Sequence, residues 1–106
     1  MRRGDLVTVA VSGDYGKPRP ALVVQADAFD EHPSVVVLPL TSELHDTPLF
    51  RVTANAGKQT GLRKAAQIMI DKATTVPRAK LGPRMGRIDG ATMHAVDRAL
   101  CGFLGL

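Results

Sequence analysis

The chain has 106 residues, enough for one domain spanning 1–106 but not for a catalytic domain plus a separate binding domain, and a core this small buries only about two thirds of the unfolded surface, so a second subunit would help it. Its 44% hydrophobic and 23% charged residues are the balance of a folded soluble protein, and no apolar run approaches the ~20 residues of a membrane span. A net charge of +4 favours polyanionic partners, and the two arginines of Met1-Arg2-Arg3-Gly4-Asp5 have no apolar stretch behind them, which argues against a secretory leader and for the cytoplasm.

In chain order, Asp5 to Val11 is rich in Val, Leu and Thr and predicts a first strand. Ser12 to Pro18 predicts a loop from its two glycines and its proline. Pro20 to Gln25 and Ser34 to Leu40 are short β-branched runs expected as central strands buried on both faces, with a polar loop tip, Asp27 to His32, between them. Leu49 to Ala54 and Ala65 to Ile70 extend the sheet, and Gly57 and Gly61 bracket a turn. Thr74 to Leu81 is expected as a short helical segment interrupted by Pro77, and Gly86 to Ile88 as a short strand. The clearest helix comes last. Asp89 is its expected N-cap, and Met93, Val96, Leu100, Phe103 and Leu104 recur at helical spacing as a stripe expected to dock on the sheet. Strands first and the main helix last predict a mostly β architecture, a twisted antiparallel barrel with a C-terminal helix, rather than an alternating parallel α/β sheet. The terminal helix and Val35 to Leu40 together are expected to supply the apolar surface of a homodimer.

Charge is unevenly spread. From Lys58 to Arg87 there are eight cations (Lys58, Arg63, Lys64, Lys72, Arg78, Lys80, Arg84, Arg87) and one anion, Asp71, a net of +7; the other six cations and nine anions leave −3. Such a one-sided stretch is expected to meet a polyanion, either a nucleic acid or an acidic protein segment. With no Trp, one Tyr and three Phe, nucleic acid would be gripped by charge and hydrogen bonds rather than on an aromatic platform. The single cysteine, Cys101, excludes an internal disulfide and is expected in the core. His32, His45 and His94 have no second ligand at metal-binding spacing, so no metal or cofactor is expected. Gly13 to Lys17 lacks the spacing of a phosphate-binding P-loop, and no serine sits in a nucleophile elbow.

Two places are harder to read as scaffold. Arg19 lies between Pro18 and Pro20, which restrict the backbone and aim the guanidinium. Thr41-Ser42 puts two hydroxyls where an apolar strand emerges from the core. Taken with Arg3-Gly4-Asp5-Leu6, Lys17-Pro18-Arg19-Pro20-Ala21-Leu22-Val23-Val24-Gln25, Pro39-Leu40-Thr41-Ser42, Thr60-Gly61-Leu62, Ile70-Asp71-Lys72-Ala73-Thr74-Thr75-Val76 and the closing amphipathic helix, these residues give a series that resembles the MazF/PemK toxins of bacterial toxin–antitoxin systems over nearly the whole chain.

That resemblance implies a dimeric SH3-like barrel of the CcdB/MazF type. It also implies cleavage of single-stranded RNA at short sequences without a metal, and inhibition by an acidic antitoxin tail lying in the RNA groove. By position in their motifs, Arg19 and Thr41 match the family's catalytic arginine and threonine, and Asp14, Lys17, Gln25, Ser42, Asp71 and Lys72 are the implied substrate contacts. The chain departs from the family pattern in two places. The loop before Arg19 offers Asp14 and Tyr15 in place of a histidine or glutamate. Met69-Ile70-Asp71-Lys72 keeps the acid of an Arg-x-Asp but not its arginine, and has lysine where Asp-Gln is usual. The same barrel also resembles CcdB, a non-enzymatic gyrase inhibitor, but the Trp-Gly pair that binding needs is absent from Gly102-Phe103-Leu104-Gly105-Leu106. A catalytically inactive RNA- or antitoxin-binding relative is the third reading.

Overall fold

One strand organises the molecule. In the computed structural model, which describes residues 1–10 and 17–106, the elements are β1 (Asp5–Ala10), β2 (Pro18–Val23), β3 (Ser34–Thr41), β4 (Arg51–Ala54), β5 (Ala66–Met69), β6 (Thr74–Pro77), β7 (Leu81–Arg87) and α1 (Gly90–Leu104), with 3-10 turns at Asp27–Phe29, Ile70–Lys72 and Arg78–Lys80. The sheet runs β4-β5-β3-β2-β1-β7, all antiparallel, and β6 also pairs with β3. Along one edge β3 holds β2, through Ala21↔Pro39, Leu22↔Leu38 and Val23↔Val37. Along the other it first holds β6 (Ser34↔Pro77 to Val37↔Thr74) and then β5 (Leu40↔Ile68, Thr41↔Gln67).

Pro39 explains that change of partner. Val36 turns both its main-chain groups toward the β2 side, donating to Gln25 Oε1 at 3.0 Å and accepting from the Val24 N–H at 3.2 Å. By alternation Pro39 faces the opposite edge, where it has no N–H to give. Pairing lapses there, and the Ile70–Lys72 turn leaves the sheet at the gap before the chain returns as β6.

The two faces of the sheet bury different sets. Leu6, Leu22, Leu38, Leu40 and Ile68 face α1 and pack with its Val96, which is fully buried. On the opposite face Val7, Val9, Ala21, Val23, Val35, Val37 and Val76 form a second cluster. The central strands are therefore buried on both sides, as their β-branched composition predicts. Register shifts in β1 against β7, between Leu6 and Val7 and between Val7 and Val9, are bulges of the kind that increase strand twist.

The twisted antiparallel β architecture with a C-terminal helix is as expected, with one refinement: β4 and β7 end the ladder without pairing to each other and α1 packs along β4, so the sheet is not closed. A correction concerns Thr74 to Leu81, which is strand β6 followed by a 3-10 turn, because Thr74-Thr75-Val76 favours a pleated edge and Pro77 ends the strand at φ −60°, ψ 135°. The short strand expected at 86–88 starts earlier, at Leu81, and carries Gly82, Pro83 and Gly86 within it. As expected, Asp89 caps α1, accepting from the Thr92 N–H at 2.7 Å, and Gly105 ends it in the left-handed region at φ 72°. Met93 and Leu100 reach the core, but Phe103 and Leu104 are more than half exposed and Cys101 is exposed, so the docking stripe stops one turn short of the helix end. Val35, Val37, Leu38 and Leu40 are internal and offer a second subunit nothing. The Asp5–Val11 strand is described to Ala10; Val11 and Ser12 to Gly16 of the expected loop, Asp14 included, lie outside the described residues.

Candidate active site

On the valine face the sheet opens into a cleft of about 270 Å³ whose lining includes Arg19, Thr41, Met69 and Thr74, with Val9 and Val37 among its apolar walls. Register explains how Arg19 and Thr41 come together from residues 22 positions apart. Arg19 stands opposite Val9, and continuing the β2–β3 register two residues past Ala21↔Pro39 brings it level with Thr41. Thr41 in turn stands opposite Gln67 on β5. Arg19, Thr41 and Gln67 thus form a row on the face of the sheet opposite α1, with Arg19 and Thr41 lining the cleft.

Thr41 Oγ1 accepts the Glu43 N–H at 3.1 Å, which leaves the hydroxyl proton for donation to a ligand. Arg19 is exposed, and the prolines on either side hold its backbone extended. Lys17 and Ser42 are exposed and flank Arg19 and Thr41 in sequence. Asp71 lies on the turn that joins the Met69 and Thr74 walls of the cleft.

Asp71 is not an open carboxylate. Its Oδ1 is 3.7 Å from Arg51 Nε and its Oδ2 3.7 Å from Lys72 Nζ, with only Lys72 well exposed. Arg51 stands opposite Met69 in the β4–β5 ladder, so a neighbouring strand brings up a guanidinium where the Met69-Ile70-Asp71 run has none. Arg51 also lies over the Phe50 ring, 5.8 Å from its centroid. The Arg51 Nε and Asp71 Oδ1 are both buried and make no hydrogen bond, which leaves the pair a charge contact rather than a bonded fork.

Gln25 is placed away from the cleft. Its Nε2 donates to the carbonyls of Phe29 (3.1 Å) and Ser34 (2.9 Å) and its Oε1 accepts from Val36, so the amide clasps the turn between β2 and β3. The basic stretch also thins out in three dimensions. Arg84 and Arg87 bind the buried Asp5 carboxylate at 3.1 and 2.6 Å, and Arg78 donates to the carbonyls of His32 and Phe29. Lys58, Arg63, Lys64, Lys72 and Lys80 remain exposed. Lys58, Arg63 and Lys64 ride on the 55–64 loop, which is docked on β7 by Arg87 N–H to Gln59 O (2.8 Å). Gly61 sits so close, at φ +74°, that a Cβ there would stand 2.3 Å from the Met85 carbonyl oxygen.

Gln67, Arg51, Met69 and Thr74 were not singled out in the sequence. The available signal was Gln67, a lone polar residue inside the apolar run Ala66 to Ile70; Arg51 carries none, because its relevance depends on register. A larger hollow of about 650 Å³ lies between α1 and the Pro48–Val52 segment, with Leu49, Phe50, Ala99 and Phe103 in its lining and Arg98 its one charged group. Among the described residues its lining has an arginine but no hydroxyl side chain. Among the described residues no helix is long and apolar enough to cross a membrane.

An open seven-stranded antiparallel sheet, backed by one helix and carrying an arginine–threonine cleft on the face opposite it, defines a small β-sheet domain. The chain belongs to the family of PemK-like, MazF-like toxins of type II toxin–antitoxin systems, whose model matches residues 2–104. It is 49% identical over 107 residues to a probable endoribonuclease MazF of Mycolicibacterium smegmatis, covering 100% of this chain and 98% of that one. It is 25% identical to the endoribonuclease EndoA of Bacillus subtilis, covering 94% and 90% of the two chains. Its fold matches a mycobacterial endoribonuclease solved in complex with its cognate antitoxin at a TM-score of 0.82, with 25% identity and coverage of 100% and 96%.

Proposed function

We propose that this toxin is a metal-independent endoribonuclease that cuts single-stranded RNA, mRNA in particular, using the RNA's own 2′-hydroxyl as nucleophile. The observation that carries the reading is the convergence of Arg19 and Thr41 on one cleft of an endoribonuclease-like fold. In such a reaction negative charge builds on the phosphate as the 2′-oxygen attacks. The Arg19 fork suits two phosphate oxygens at once and stays charged at any working pH, while the Thr41 hydroxyl donates one more hydrogen bond. Both act as electrostatic stabilisers of the charge that builds on the phosphate, and neither is assigned as the base. Lys17, Ser42, Lys72 and Asp14 are assigned to the RNA strand on either side of the scissile phosphate, and Asp71 to the cleft wall.

The partners follow from the same surface. An acidic antitoxin segment competes with RNA for the cleft and the exposed lysines. A homodimer forms through the apolar end of α1, where Phe103, Leu104 and Leu106 are exposed. The cytoplasm is where RNA and antitoxin are met. Incubating the protein with long single-stranded RNA, with and without EDTA, tests the reading. Equal cleavage in both, giving 2′,3′-cyclic phosphate and 5′-hydroxyl ends, is expected, and cleavage abolished by chelation or absent altogether would refute it.

A further inference from the structure

Gln67 has an environment that a structural role in the core does not account for. It is 7% exposed, within an apolar strand, directly opposite Thr41. Both ends of its amide engage the main chain of a single residue: the His45 N–H donates to Oε1 at 2.9 Å and Nε2 donates to the His45 carbonyl at 2.8 Å. The side chain thus acts as a strand partner for a loop that has none of its own, the Ser42–Asp46 segment leaving β3. With the Glu43 N–H on Thr41 Oγ1, the loop is held at two points beside the Arg19–Thr41–Gln67 row.

What the loop presents is also unusual. Leu44 is 59% exposed, and the neighbouring His45 imidazole is 56% exposed. An apolar side chain beside a flat ring able to donate or accept a hydrogen bond suits a nucleobase, which needs a face to lie on and an edge to be read. The Thr41↔Gln67 pairing and the Glu43 N–H on Thr41 set this loop beside the Arg19–Thr41 cleft, within reach of a base adjoining the phosphate that Arg19 holds.

Resting on the ribonuclease reading, we propose that Gln67 is a positioning residue for sequence specificity: it fixes the Ser42–Asp46 loop as a wall on which Leu44 and His45 contact the nucleobase next to the scissile phosphate. A wall held by two hydrogen bonds discriminates between bases because it cannot shift to suit the wrong one. Gln67→Leu keeps the volume and releases the loop, Gln67→Glu keeps only the acceptor for the His45 N–H, and Leu44→Ala and His45→Ala alter the wall at exposed positions that do not threaten the fold.

The test is to digest a pool of randomised single-stranded RNA with the full-length protein and its variants and sequence the new ends. Wild type should show a base preference at one position beside the cut. Gln67→Leu should lower that preference on the order of tenfold, Gln67→Glu by less, and Leu44→Ala and His45→Ala should relax the same position and no other. Wild-type cleavage with an unchanged preference in Gln67→Leu, or in both surface variants should Gln67→Leu not fold, overturns the proposal while leaving the ribonuclease reading intact. No cleavage by wild type removes both. Unchanged preference together with weaker competition by an acidic peptide would make the wall a protein contact, and also overturns the proposal.

Discussion

Two arginine-bearing regions of this small protein differ in what the fold sets around them. Around Asp5 the cations are consumed. The carboxylate is almost fully buried and takes Arg84, Arg87 and the Arg2 N–H; Arg87 reaches on to the Arg3 carbonyl, and Arg3 binds the Val24 carbonyl and Asp97 on α1. Gly4, at φ 95°, lets the chain pass Arg87 at a distance where a Cβ would touch the guanidinium. The network ties the N-terminus to β7 and to the helix. Around Arg19 the cation is exposed, held between prolines and opening on a cleft beside a hydroxyl. An arginine becomes scaffold where the fold buries a carboxylate against it, as Asp5 is buried against Arg84 and Arg87. Net charge along the sequence does not distinguish the two regions.

The comparison breaks most sharply at Asp5. Asp5→Ala leaves Arg84 and Arg87 without their buried partner, and removing one member of a buried pair costs about 3 to 5 kcal/mol. The two arginines are about half exposed and can turn to water, so the lower end, about 3 kcal/mol in urea unfolding, is expected. The fraction that remains folded should cleave RNA at the normal rate.

Arg19→Ala should do the reverse, lowering cleavage about a hundredfold, or about 2.7 kcal/mol of transition-state stabilisation, while shifting unfolding by no more than about 0.5 kcal/mol. Lysine should restore little, since a point charge cannot make the forked contact. An unaltered cleavage rate in Arg19→Ala would end the distinction between the two regions. Thr41→Val keeps the shape and removes one neutral donor, for about a tenfold loss in rate, or about 1.4 kcal/mol.

Acid should produce the mildest change, and it acts on the scaffold region through Asp5. Burial works to raise the Asp5 carboxyl pKa, but the Arg2 N–H, Arg84 and Arg87 outweigh it and hold the group below its ordinary 3.8. A depressed carboxylate adds stability that is fully present above the ordinary value and is lost as pH falls through the folded one. Unfolding midpoints should therefore drop below about pH 4 in the wild type, and Asp5→Asn should flatten that part of the profile.

Much of the architecture could be read from residue patterns. Alternating or β-branched runs located β1, β2, β3, β4 and β5, and Asp89 with its periodic apolar residues located the helix and its cap. β6 and β7 were harder, because Pro77, Gly82, Pro83 and Gly86 look like loop residues, yet edge strands tolerate them where no ladder N–H is required. Phe103 and Leu104 keep the helical period while the sheet beneath them ends, so periodicity overran the contact. Arg19 and Thr41 were visible through their flanking prolines and their place at a strand exit. Their neighbours were not, since Gln67 opposite Thr41 and Arg51 opposite Met69 are facts of register, and register between distant strands is decided by tertiary packing. The Arg-Gly-Asp motif was visible as a pattern, but its meaning came only with the buried Asp5.

The break at Pro39 has a consequence for how such a protein can diversify. Because β3 holds β6 along Ser34–Val37 and β5 only at Leu40 and Thr41, the Ile70–Lys72 turn spans the gap between two separate ladders. Ile70 is fixed there, buried in the core with its N–H on the Phe50 carbonyl, but Lys72 is exposed and can be exchanged without shifting a strand on either side. The same turn joins two walls of the cleft. On the proposed ribonuclease reading, Lys72 is therefore a position where substrate choice can be rewritten while Arg19 and Thr41 stay in place.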